Sequence, residues 1–188
     1  MNIWKISANE DFNDAFLINE SGKQCFEKDS FFEEIQYAPQ IRNLEIRMES
    51  RGFSDIMNYW GTNGTCIVSS KTRDLILSYF GNLSIQFIPC KCDKFPDIKM
   101  WLLNVCEYHD VLDVKNCICK KTHNFQGKEV IRSVKKYAFT KEAFDLDIFK
   151  IYLEERKYTT CLFVSDRFKD IMEGNGVTGL ALERVYTL

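Results

Sequence analysis

A strand–helix–strand pattern that occurs twice is the sequence feature that most constrains this fold. The nine residues that begin at Val68 align without a gap with the nine that begin at Val164, at an offset of 96 residues. Both copies follow an apolar run that begins with a cysteine, and both end at adjacent glycine and asparagine residues. A serine precedes each predicted helix, where its hydroxyl can satisfy a helical N–H that has no intrahelical partner. We expect a strand–helix–strand unit at about 66–88 and again at about 161–185.

Apolar residues at helical spacing predict which face of the first helix is buried. The residues that recur every three to four positions are Leu75, Ile76, Tyr79 and Phe80. The following pair, Gly81-Asn82, predicts a helix end at which the glycine takes the left-handed conformation.

Further strand-like stretches lie between the two units. Apolar residues alternate or cluster in four segments joined by polar turns, at 100–106, 108–114, 129–139 and 148–153. Two repeats are too few for a solenoid, so we interpret them as matching parts of one globular fold. The predicted fold class is α+β, with a mixed and mostly antiparallel sheet in which the strand–helix–strand unit is used twice.

Length, composition and charge indicate a single domain that spans 1–188. A chain of 188 residues with 45% hydrophobic and 28% charged residues can bury a core without metals or disulfides. A net charge of −2 argues against a nucleic-acid partner. The N-terminus shows no export signal, and no apolar run is long enough to span a membrane. We therefore expect a cytoplasmic protein whose eight cysteines are reduced thiols.

Charge is distributed unevenly along the chain. Residues 1–60 carry six basic and eleven acidic side chains, a net charge of −5, and aromatic residues lie among these acids. Aromatic anchors ringed by acids suit a basic protein partner, although an aromatic core with solvated acids is the alternative. The residues that we predict to bind a partner are Glu27, Asp29, Phe32, Glu33, Glu34 and Tyr37. A basic run at Lys128, Arg132 and Lys135-Lys136 is interpreted as the solvent-facing side of a strand.

Motifs for catalysis or metal binding are weak in this sequence. Cys90-Lys91-Cys92 and Cys117-Ile118-Cys119 space their thiols more closely than zinc-binding turns do, so we interpret them as small buried residues. No phosphate-binding loop, dinucleotide fingerprint or nucleophile elbow is present. We predict no catalytic, cofactor-binding or metal-binding residue. The alternatives are a small hydrolase or transferase that uses His109, Asp110 or Cys92, and a self-associating scaffold.

Three stretches carry a family resemblance through their order along the chain. The first runs from 55 to 89 and contains the serine-capped helix start, the second is Trp101 to Asp113, and the third spans 148–180 with the second helix start. Together they resemble the eleventh immunity-protein family of bacterial polymorphic toxin systems, formerly a domain of unknown function. The resemblance covers about 55–188, and the opening Asn2 to Ile6 also fits it.

The resemblance implies a function that composition and spacing do not. A member of this family would be a cytoplasmic bacterial protein with a single immunity-type domain. It would bind a cognate toxin encoded nearby and neutralise it without catalysis. Our first hypothesis is that it does so by occluding the toxin's active site, without a cofactor. The identity of the toxin and the oligomeric state are not implied.

Overall fold

The structure is a computed structural model, and it describes residues 1–7, 14–18, 44–49, 52–60 and 64–187. In chain order its elements are strands β1 (Asn2–Ile6), β2 (Asp14–Ile18), β3 (Leu44–Glu49), β4 (Ile56–Trp60) and β5 (Cys66–Ser69), helix α1 (Ser70–Phe80), strands β6 (Ile85–Cys92), β7 (Met100–Val105), β8 (Tyr108–His109), β9 (Ile118–His123) and β10 (Glu129–Lys136), a short 3-10 helix (Lys141–Asp145), strands β11 (Ile148–Leu153) and β12 (Arg156–Ser165), helix α2 (Asp166–Gly174) and strand β13 (Leu182–Thr187).

The strands form three groups. Six of them close into a barrel in the order β2-β3-β6-β7-β5-β4, and five form an open sheet in the order β13-β1-β12-β11-β8. Strands β9 and β10 form a separate two-stranded hairpin. Among the described strands, the pairs β2–β4, β3–β6 and β8–β11 are parallel and the other pairs are antiparallel. The predicted α+β fold with mixed, mostly antiparallel sheets is confirmed.

The repeated unit is present, and each copy lies in a different sheet. The first copy is β5-α1-β6 in the barrel, and the second is β12-α2-β13 in the open sheet. In each copy the two strands are not neighbours, because a third strand lies between them and pairs antiparallel with both. That third strand is β7 in the barrel and β1 in the open sheet.

A serine caps both helices, and an aspartate holds each serine. The Oγ of Ser69 accepts from the N–H of Thr72 and donates to Asp55 Oδ1 at 2.7 Å. In the second copy the Oγ of Ser165 caps α2 and donates to Asp147 Oδ1 at 2.8 Å. Both aspartates immediately precede the strand that pairs with the capped strand, so the duplication extends to β4 and β11.

Tryptophans on the inserted strands make matching contacts with both helices. Trp101 lies opposite Val68, and Trp4 lies opposite Val164. The indole N–H of Trp101 donates to Ser70 Oγ at 3.3 Å, as that of Trp4 donates to Asp166 Oδ1 at 2.8 Å. The repeat therefore has the same architecture in both halves: strand pair, capped helix and tryptophan.

A cation also lies over each tryptophan ring. The guanidinium carbon of Arg73 is 4.4 Å from the Trp101 ring centroid, and the Lys169 Nζ is 5.5 Å from the Trp4 ring centroid. Arg73 and Lys169 occupy equivalent positions of the aligned helices. Such contacts add a modest electrostatic attraction to the packing of each helix on its sheet.

The two helices pack against each other between the barrel and the open sheet. The rings of Phe80 and Phe168 are 5.7 Å apart, and both side chains are buried with Ile76 and Met172 in one apolar cluster. This cluster also contains residues of both sheets, including Val105 of β7. Helix α1 thus buries Ile76 and Phe80 of its predicted apolar face, but Tyr79 is exposed, so the prediction is wrong for that residue.

The end of α1 differs from the prediction. Gly81 has a φ of −66°, which is right-handed rather than left-handed. A Cβ at this position would lie 2.4 Å from the carbonyl oxygen of Leu77. The glycine is therefore explained by the close approach of the backbone and not by an unusual φ.

Candidate partner-binding surfaces

The residues that we predict to bind a partner are outside the described part of the chain. They are Glu27, Asp29, Phe32, Glu33, Glu34 and Tyr37, which belong to the stretch 19–43. The acidic, aromatic surface that they were expected to form stays a prediction.

The structure does not bring together the residues proposed for a hydrolase or transferase, which are Cys92, His109 and Asp110. Cys92 is 2% exposed in the barrel core, whereas His109 lies in the edge strand β8 of the open sheet. His109 Nε2 is 3.5 Å from Glu107 Oε2, and its ring meets Phe149 edge-on. No hydrogen bond joins Cys92 to His109 or Asp110 among the described residues, so these three residues form no catalytic arrangement.

The described cysteines behave as packing residues. None of the seven forms a disulfide within the described residues. Burial raises the pKa of Cys66 and of Cys90 to about 12, and it also raises the pKa of Cys92, Cys117 and Cys119. Their thiols therefore stay protonated and unreactive at neutral pH. Among the described residues no three His, Cys, Asp or Glu side chains are grouped so as to hold a metal ion.

An acidic cleft lies beside the start of α2. Its volume is about 690 Å³, and it lies between the N-terminal residues, the 3-10 helix and the first turn of α2. Four aspartates line it, and the apolar side chains that join them include Phe144 and Ile171. Those aspartates are Asp145, Asp147, Asp166 and Asp170.

Two of the four aspartates are occupied by contacts within the fold. Asp166 accepts hydrogen bonds from the backbone and side-chain N–H groups of Asn2 and from Trp4. Burial alone would raise the pKa of Asp166, but these bonds and the terminal ammonium outweigh it and hold the pKa below its usual value. Asp147 binds the guanidinium of Arg167 as well as the capping serine.

The other two aspartates face solvent. Asp145 and Asp170 are exposed, and within the described residues no ion pair involves either of them. Carboxylates beside apolar side chains in a concave surface suit the charged head and aliphatic stem of a lysine or arginine. The sequence carries one local signal for this cleft, since Asp166 and Asp170 are four residues apart and share one face of α2. Asp145 could not be placed there without the fold.

No helix in the described part of the chain has both the length and the apolar character needed to cross a membrane.

Comparison with known proteins identifies one family. The model of the immunity protein family Imm11 matches residues 13–187, which is nearly the whole chain. The match begins well before the stretches that carry the resemblance in the sequence, so it includes the acidic segment with the predicted partner-binding residues. No curated protein matches the chain.

Proposed function

Because this chain belongs to the Imm11 immunity protein family, we propose that it binds one cognate bacterial toxin domain and neutralises it by covering the toxin's active site. The family match over 13–187 is the observation that carries this proposal. In the proposal the toxin is encoded beside the gene for this chain, the two proteins meet in the bacterial cytoplasm, and this chain performs no catalysis. A contact of standard size, about 1,600 Å² in total, is enough to cover an active-site groove.

The acidic N-terminal part is the proposed contact surface. Residues 1–60 carry a net charge of −5, and Phe32 and Tyr37 lie among the acids at Glu33 and Glu34. Long-range attraction between opposite charges accelerates association, and buried aromatic rings slow dissociation. The acidic cleft has the same polarity, with Asp145 and Asp170 free to meet a basic side chain. Both features favour a toxin surface that is rich in lysine and arginine.

Calorimetric titration with the purified toxin domain tests the proposal. We expect one-to-one binding with a nanomolar dissociation constant, which is typical of specific interfaces of this size. Absence of heat at micromolar concentrations would contradict the proposed function for that toxin.

Charge reversal tests the proposed surface separately. The double variant Glu33→Lys/Glu34→Lys should associate more slowly than the wild type, and its association rate should depend less steeply on salt concentration. The control is Asp74→Lys/Asp97→Lys, which makes the same change in net charge at two exposed positions outside 1–60. Equal association rates for the two double variants would remove the N-terminal surface from the proposal.

A further inference from the structure

The β9–β10 hairpin presents an aromatic side chain at its tip. Phe125 occupies the turn and its side chain is fully exposed, so its ring packs against none of the described residues. The turn is nevertheless well built, because Asn124 Oδ1 accepts from the backbone N–H groups of Gln126 at 3.0 Å and Lys128 at 2.9 Å. Gly127 closes it with a φ of +74°, a conformation that glycine adopts without strain. The part of the fold that the structure describes therefore gains no packing from this apolar ring.

Strand β10 of the hairpin is fixed to the body of the protein. Ile131 and Val134 are buried in the apolar cluster of the open sheet. The backbone N–H of Ile131 donates to Glu154 Oε2 at 3.0 Å, and its carbonyl oxygen accepts from Arg156 Nη2 at 3.2 Å. Because β10 is held on the body close to the turn, the hairpin can present its tip with a small loss of conformational entropy on binding.

The hairpin is strongly basic, although the whole chain is slightly acidic. Residues 118–136 contain six basic side chains and one acidic side chain, a net charge of +5 in a chain of net charge −2. Lys121 pairs with Glu129 at 2.7 Å. The other five cations are exposed and have no ion-pair partner in the described part of the chain: Lys120, Lys128, Arg132, Lys135 and Lys136.

Apolar exposure and open strand edges favour a protein as the partner of this surface. Ile118 at the start of β9 is 55% exposed, and each hairpin strand pairs only with the other among the described residues. Exposed strand edges and isolated aromatic side chains are typical of protein recognition. The rest of the chain outside the hairpin carries a net charge of −7, which would repel a long polyanion such as a nucleic acid. An acidic patch on a protein that stays within a Debye length of the hairpin would not meet this repulsion.

We infer that the β9–β10 hairpin is a second contact with the toxin and inserts Phe125 into an apolar pocket ringed by acidic side chains. This inference rests on the proposed function, and it adds a requirement for the partner. The toxin must carry an acidic patch in addition to the basic groove that meets the N-terminal part of this chain.

Two hairpin variants and one matched control test the inference by calorimetry against the purified toxin domain. Phe125→Ser should weaken binding by about 30-fold, as expected for a central aromatic residue. It should leave the melting temperature unchanged because the ring packs against none of the described residues. Lys128→Glu/Arg132→Glu should weaken binding by about tenfold and reduce its salt dependence. Leu77→Ser, at an exposed apolar residue on α1, should bind as the wild type does.

The possible outcomes separate the inference from the proposed function. If the wild type binds the toxin and both hairpin variants bind equally well, the inference is wrong and the proposed function stands. If the wild type does not bind the toxin, both are wrong. A mixed-sequence RNA or DNA 20-mer that binds the wild type and loses affinity for Lys128→Glu/Arg132→Glu would assign the hairpin to nucleic acid and would also overturn the inference.

Discussion

The duplicated capping aspartates allow the same substitution to be compared in two environments of one protein. Asp55 is 7% exposed and accepts three hydrogen bonds, one from Ser69 Oγ and two from Thr178. Lys71 Nζ also lies 3.6 Å from its Oδ2. Thr178 precedes β13, so Asp55 connects the barrel to the C-terminal half of the chain. Within the described residues the Asp147 side chain accepts from Ser165 and Arg167, and it is partly exposed.

The number and burial of these bonds determine the expected cost of each substitution. A hydrogen bond to a charged acceptor contributes about 1.5–3 kcal/mol when buried and less when exposed. Asp55→Ala removes one buried bond and two partly buried bonds, which contribute less, and it leaves the buried Ser69 hydroxyl without its acceptor. We therefore expect a loss of about 3–5 kcal/mol in the free energy of unfolding. Asp147→Ala removes one partly buried bond and one exposed ion pair, for which we expect about 1–2 kcal/mol.

Urea unfolding followed by circular dichroism and tryptophan fluorescence measures both losses. In thermal melts of the same variants, we expect the melting temperature to fall by about 10 °C in Asp55→Ala and by about 4 °C in Asp147→Ala for a domain of this size. Asp55→Asn keeps one carbonyl acceptor and should lie between the wild type and Asp55→Ala. Equal losses for the two alanine variants, or a larger loss for Asp147→Ala, would refute the role given to burial and bond number.

Three further predictions follow from single positions. Burial would raise the pKa of Asp55, but its hydrogen bonds outweigh this and lower that pKa. The contribution of Asp55 to the free energy of unfolding is therefore complete above the unfolded pKa of about 3.9 and is lost as the pH falls through the lower folded value. Urea titrations from pH 7 to pH 3 should show the unfolding free energies of the wild type and Asp55→Ala converging only below about pH 4. Gly179→Ala would place a Cβ 2.1 Å from the carbonyl oxygen of Ile56 at a φ of +82°. Thermal melts should show that the free energy of unfolding falls by more than about 3 kcal/mol. The control Gly176→Ala, which has open space around it, should lose about 1–2 kcal/mol. Because burial raises the pKa of Cys66 to about 12, mass spectrometry should find it unmodified by iodoacetamide at pH 7.5 until the protein is unfolded.

The repeat was predictable because its signals are local. A serine cap, an apolar helix face and a glycine stop all lie within about twenty residues, so alignment of two segments finds them. The order of the strands was not predictable, since a period-two pattern identifies a strand but not its neighbours. Trp4 and Trp101 show this limit, because they occupy equivalent places in the fold. In the sequence, however, Trp4 precedes its helix and Trp101 follows its helix.

The candidate surfaces show the same division between local and long-range information. The basic run from Lys128 to Lys136 is visible in the sequence, and we interpret it as the solvent-facing side of a strand. The exposure of these side chains agrees with that interpretation. What the sequence does not show is that the turn holds Phe125 fully exposed, away from the described core. The acidic cleft is also a product of the fold, because it joins Asp145 to Asp166 and to the N-terminal residues through tertiary packing.

Titration of the toxin's own activity tests the central claim most directly. Increasing amounts of this chain are added to a fixed concentration of the toxin domain encoded beside its gene, chosen above the expected nanomolar dissociation constant. The residual toxin activity is measured at each ratio. The proposed function predicts a linear fall that ends at one equivalent, as for a tight one-to-one complex that covers the active site. Full toxin activity at several equivalents, or a complex that forms while activity persists, would contradict neutralisation by occlusion.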